Sequence, residues 1–121
     1  MNRALALNSV IVGRMSFGVG VWAFPGPVCR AFGFDMTRNP QAAYMARLVG
    51  ARDFALAAGV IATEGDTQRQ WLLAGLACDS ADTLAAIAGA KGLSKRTTAG
   101  VLAAALWGVV CGAFALIARE Q

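Results

Sequence analysis

The chain has 121 residues, 57% of them hydrophobic and 15% charged, with a net charge of +4 and a mean hydropathy of +0.54. A water-soluble domain carries about 25% charged residues, so the deficit points to a bilayer as solvent, and the length suits one domain. The small, scattered positive excess, without basic and aromatic residues interleaved, excludes a nucleic-acid groove, and the absence of histidine removes the commonest general base and metal ligand.

The first apolar stretch covers residues 4–24 and carries Arg14 near its middle. It is longer than a signal-peptide core and no small-x-small cleavage site follows, so it is expected to be a retained span. Pro25-Gly26-Pro27 ends it, because proline removes a backbone donor and glycine relaxes the chain. Loop one, residues 25–40, is the longest connection, and its segment from Val28 to Phe34 is expected to lie in the interface as a short amphipathic turn. Asn39-Pro40 is a helix-start signal for a second span over 41–62, which holds Arg47, Arg52 and Asp53. Loop two, 63–68, carries Glu64 and Asp66, and the third span, 69–90, carries Asp79 and Asp82. Loop three, 91–96, carries Lys91, Lys95 and Arg96, and the fourth span, 97–118, has no charge.

Each stretch is long enough for a helix to cross a hydrocarbon core about 30 Å thick. The alternation of a membrane barrel is absent. The expected fold class is therefore all-α, a four-helix transmembrane bundle in the plasma (inner) membrane. Loops one and three share a side and hold Arg30, Arg38, Lys91, Lys95 and Arg96. The positive-inside rule places them in the cytoplasm, opposite Arg3, Arg69, Arg119 and acidic loop two.

The six charges inside the spans are the main functional lead, since each costs roughly 2.5–3.5 kcal/mol at bilayer depth. With a rise of ~1.5 Å per residue, Arg14, Arg52 and Asp79 fall within about 1 Å of the midplane. Arg47 lies about 7 Å and Asp82 about 4 Å toward the loop-one side. Level pairs are thus Arg52 with Asp79 and Arg47 with Asp82, with Asp53 as a partner for Arg14. Three arginines against three aspartates sum to zero. Arginine stays protonated and its fork matches a carboxylate, which suits permanent pairing. One reading is that the pairs order the helices; the other is a polar site for a lipid headgroup, ion or proton.

Asp79-Ser80-Ala81-Asp82 invites a Mg²⁺-diphosphate reading, because two carboxylates at i and i+3 suit that ion. Membrane phosphatidyl-alcohol transferases use a longer aspartate motif, but Thr83 stands where glycine is expected and the downstream aspartates are missing. No metal site, cofactor or catalytic residue is expected. The odd count of cysteines, Cys29, Cys78 and Cys111, lacks metal spacing. Trp22, Trp71 and Tyr44 near span ends read as interface anchors, and Trp107 as a deeper packing residue.

Span four carries Gly100, Ala104, Gly108 and Gly112 at steps of four, a small-xxx-small face that allows close helix contact. It serves either packing inside the bundle or docking onto a partner, and docking is the expectation adopted. Span two has Ala42, Ala46 and Gly50 at the same spacing.

Several segments resemble an uncharacterised family of small four-span membrane proteins of actinobacteria. They are Pro27 with Phe32-Gly33-Phe34-Asp35, Asn39-Pro40-Gln41, Arg47-Leu48-Val49-Gly50-Ala51-Arg52-Asp53, and Trp71-Leu72-Leu73-Ala74-Gly75 followed by Asp79 and Asp82. The resemblance implies the four-span fold and a polar core, and nothing catalytic. In size and in its smooth fourth span the chain also looks similar to accessory subunits of lipid importers of the mammalian-cell-entry type. Small multidrug exporters need a glutamate in the first span, where this chain has Arg14. The function expected is a non-catalytic accessory or scaffold subunit docking onto a larger integral membrane complex, such as a lipid transporter, in contact with membrane lipid. The alternative is a small oligomeric lipid or ion carrier that uses the charge cluster, with span four as its seam.

Overall fold

The computed structural model describes residues 1–118. Five α-helices follow one another: α1 Arg3–Ala23, α2 Pro25–Ala31, α3 Ala42–Ala62, α4 Gly65–Gly89 and α5 Lys95–Ile117. A 3₁₀ turn, Ala90–Gly92, joins the last two, and no strand occurs among the described residues. Arg119 lies outside the described residues.

The helix ends follow local chemistry. Asn2 caps α1 by accepting from the Leu5 amide at 2.8 Å, and Ser94 caps α5 by accepting from the Thr97 amide at 3.1 Å. Pro25 both closes α1 and occupies the first position of α2, where its missing N–H costs nothing. The expected interfacial turn is thus a short helix, with Cys29 buried beneath it. Helix α4 begins at Gly65, four residues before the expected start, so loop two shrinks to Thr63 and Glu64. Gln68 sits inside α4 and turns back to donate to the Val60 and Thr63 carbonyls, which otherwise lack partners at the end of α3.

The four long helices run up, down, up and down, with neighbours in the cyclic order α1, α3, α4, α5. Helices α1 and α3 form one close pair, and α4 and α5 the other. Glycine makes the first pair close: a Cβ on Gly18 would lie 2.9 Å from the Gly50 carbonyl oxygen. The bundle end near loop two is filled by Ala6, Val10, Val60, Leu72, Cys111 and Ala115. At the opposite end the pairs diverge.

Helices α1, α4 with its 3₁₀ extension, and α5 are each long and apolar enough to cross a membrane. Helix α3 has the length of α1 but carries Arg47, Arg52 and Asp53. Large apolar side chains cover the outside, among them Val12, Leu84, Trp107 and Ile117. Such a surface suits lipid rather than water.

Candidate functional site

Five charged side chains form a chain of ion pairs across the bundle centre. Arg14 on α1 donates through Nη1 to Asp53 Oδ1 at 2.9 Å and through Nη2 to Asp79 Oδ2 at 2.6 Å. Arg52 on α3 grips Asp82 with both ends of its fork, Nη1 to Oδ1 at 3.0 Å and Nη2 to Oδ2 at 2.6 Å. It also reaches Asp53 Oδ1, at 3.3 Å from Nε and 3.2 Å from Nη2. The order is Asp79, Arg14, Asp53, Arg52, Asp82. Arg14, Asp53 and Asp79 are 8%, 9% and 6% exposed. The Arg52 and Asp82 side chains keep about a third of their surface, 30% and 34%.

Arg14 reaches diagonally from α1 to α4, and two glycines make room for it. A Cβ on Gly75 would come within 2.8 Å of Arg14 Nη2, and one on Gly108 would clash with the Asp79 carboxylate. Sequence reasoning gave Gly75 no site role and assigned Gly108 to the docking face rather than to the charge cluster. Gly75 precedes Asp79 by one helical step of four, so both project from one face. That spacing was the available signal.

Two pairings differ from the expectation. Arg52 binds Asp82 rather than Asp79, and Arg47 binds neither aspartate. Asp79 is taken by Arg14, so the fork of Arg52 closes on Asp82, one helical step of three farther along the same face of α4. Arg47 precedes Arg52 by five residues, about 140° around a helix, and so faces α1 instead of α4. Its Nη2 donates to the Trp22 carbonyl at 3.3 Å, its guanidinium lies 5.7 Å from the Trp22 ring centroid, and Trp22 Nε1 donates to the Arg47 carbonyl at 3.1 Å. Without Arg47 the cluster holds two guanidinium groups and three carboxylates, a formal surplus of one negative charge.

The α5 ladder meets the rest of the bundle at its three glycines. Gly108 lies against Asp79, Gly112 meets Leu76 at 4.0 Å, and a Cβ on Gly100 would lie 3.3 Å from the Phe32 ring. Ala104 lines an interior cleft. Small residues face inward here because Asp79 and Phe32 need the space that side chains would fill.

That cleft has a volume of about 650 Å³ and occupies the half of the bundle nearest loops one and three. Its floor is Arg14, Asp53, Asp79, Arg52 and Asp82, and its walls are mainly apolar. Loop one closes over it. Phe32 packs edge-on against Phe17 with ring centroids 5.9 Å apart, and Phe34 donates its amide to the Cys29 carbonyl at 3.0 Å. Gly33, at φ +86, makes this turn in a conformation that side chains rarely adopt. Burial pushes the Cys29 thiol pKa up.

No protein-family model, curated protein or solved structure matches this chain. The geometry itself therefore carries the functional reading.

Proposed function

We propose that this protein is a four-span bundle of the plasma membrane that binds a small amphipathic or lipid-like molecule in its interior cleft. The observation that carries this is the juxtaposition of an apolar space of about 650 Å³ with a floor of ion-paired Arg and Asp side chains. Ligand sites commonly combine apolar walls with a few placed polar groups. The apolar part of the ligand fills the cleft and its polar part meets the floor. This reading keeps the charge cluster as the site, as the oligomeric-carrier alternative does, but needs neither docking nor an oligomer seam at span four, since the glycines of α5 meet Asp79, Leu76 and Phe32.

Crossing by α3 as the fourth span is supported by its length and by the pairing of its charges. Arg52 and Asp53 are neutralised within the bundle, and Arg47 sits beside Trp22 near the end of α1, where a long side chain reaches the headgroups. The positive charges Arg30, Arg38, Lys91, Lys95 and Arg96 support a cytoplasmic side for loops one and three.

Purification from native membranes in mild detergent, followed by mass spectrometry of the extract, tests the binding role. The wild type should carry an apolar or amphipathic molecule in a fixed ratio. Ala46→Phe and Ala104→Phe, which place a ring in the cleft, should lose it while keeping the same elution volume. Equal recovery from wild type and both variants would count against the cleft as the site. Docking onto a larger membrane complex would instead use the apolar outer faces of the helices. Recovery of this chain without any protein partner in the same preparation counts against that second role.

A further inference from the structure

The charge inventory of the floor deepens the cleft reading, on which this inference rests, by naming the class of ligand. Every charged side chain at the floor is accounted for: Arg14 from α1, Arg52 and Asp53 from α3, Asp79 and Asp82 from α4, and none from α5. Asp82 accepts from Arg52 on both oxygens. Asp53 and Asp79 do not fill theirs. All three Asp53 bonds fall on Oδ1 and the Asp79 bond falls on Oδ2. Asp53 Oδ2 and Asp79 Oδ1 therefore accept no hydrogen bond among the described residues. Yet no buried side-chain oxygen there is without a partner, so both free oxygens keep some accessible surface. The cleft is the space that both residues line.

A net negative charge held at bilayer depth beside apolar walls is costly unless a proton or another cation joins it. The described residues contain no group of three or more His, Cys, Asp or Glu side chains able to hold a metal ion, and two guanidinium groups already stand beside these carboxylates. A small inorganic cation is poorly served by such a floor. An organic ammonium is better served, because its N–H groups are donors for carboxylate oxygens and its carbon body suits the walls. Phe17 and Phe32 also line the cleft, and aromatic faces attract cations.

We infer that the cleft takes a monocationic amphiphile, an apolar body with one protonated amine that donates to the free oxygen of Asp79 or Asp53. The bound amine brings the floor to neutrality. An anionic amphiphile would double the uncompensated charge, and a neutral one would leave it in place.

Equilibrium binding of radiolabelled dodecylamine, 1-dodecanol and dodecanoate tests this at pH 7. The full chain is held in phosphatidylcholine nanodiscs, with empty nanodiscs giving the partitioning background. The wild type should prefer the amine over the alcohol by about ten-fold, as expected for a charge-assisted hydrogen bond, and should hold dodecanoate no better than the alcohol. Asp79→Asn and Asp53→Asn each remove the surplus charge with little change in shape, and the amine-to-alcohol ratio should fall toward one. Arg47→Ala, outside the cluster, should keep the ratio. Equal wild-type affinity for amine and alcohol, or a ratio untouched in both Asn variants, overturns the cationic assignment while the cleft reading stands. Absence of saturable binding by all three probes overturns the cleft reading as well. Phosphatidylethanolamine, whose ammonium is balanced by its own phosphate, should fail to displace dodecylamine; displacement would show that net charge does not select the ligand and overturns the cationic assignment.

Discussion

Arg14 holds two carboxylates on two different helices, which makes it the least replaceable side chain in the bundle. Arg14→Met would leave Asp53 and Asp79 facing each other with much of their compensation gone. Breaking such a buried pair should cost about 3–5 kcal/mol, read as a loss of folded fraction in a mixed-micelle denaturation series. Arg47→Ala should shift the same curve by less than about 1 kcal/mol, since it removes a contact with an exposed ring. Two equal shifts would mean that Arg47 belongs to the cluster after all. Glycines offer a second contrast. Gly75→Ala and Gly108→Ala push a methyl group against Arg14 and Asp79 and should each destabilise by about 1–3 kcal/mol. Gly13→Ala meets nothing within 4 Å on helix α1, so by helix propensity it should stabilise by roughly 0.5–1 kcal/mol. A destabilised Gly13→Ala would show that the cleft wall there is tighter than its geometry. Sequence alone exposed the charges because each interrupts an apolar run, but their partners depend on rotation about each helix axis, which depth along the chain does not contain.

Helix α2 and the turn after it tie the two helix pairs together at the open end. Gly33 turns the chain at φ +86, and a Cβ there would lie 2.9 Å from Thr97 Oγ1 at the start of α5. Gly33→Ala should therefore lift loop one from α5. The Cys29 thiol reports this, being 4% exposed, with its Sγ lying 3.7 Å from the Ala42 carbonyl. Its raised pKa leaves little reactive thiolate at neutral pH. Maleimide should modify Cys29 slowly, with the rate rising as pH rises, and Gly33→Ala should speed it. Peptide mass spectrometry after timed quenching reads the modification of Cys29. Unchanged protection in Gly33→Ala would show that the turn does not pin the loop. The breaker Pro25-Gly26-Pro27 was legible as the end of span one. That it also opens a new helix was not, because the first turn of a helix and a loop place the same demands on proline.

The whole molecule is two close helix pairs, tight at the loop-two end and parted at the other, and the parting creates the cleft. The proposed crossing of α3 decides whether this shape sits in the bilayer as drawn. Single cysteines placed at Arg38, Asp66 and Lys91 in a cysteine-free background test it with an impermeant maleimide on intact cells. Asp66→Cys should react from outside, whereas Arg38→Cys and Lys91→Cys should react only after permeabilisation. Labelling of Arg38→Cys and Asp66→Cys from the same side would mean that α3 does not cross.

Composition and the spacing of apolar runs already dictated helices of these lengths, since a chain so poor in charge must satisfy its backbone internally. Helix α3 begins within one residue of the expected start of the second span, and the charges in it were conspicuous for the same reason. Which aspartate each arginine binds, which way the glycine ladder of α5 faces, and the presence of a cleft followed from packing. These depend on helix rotation and on the angle between helix pairs, quantities set by contacts between residues far apart in the chain. Depth can be counted along one helix, but azimuth is fixed only when another helix packs against it.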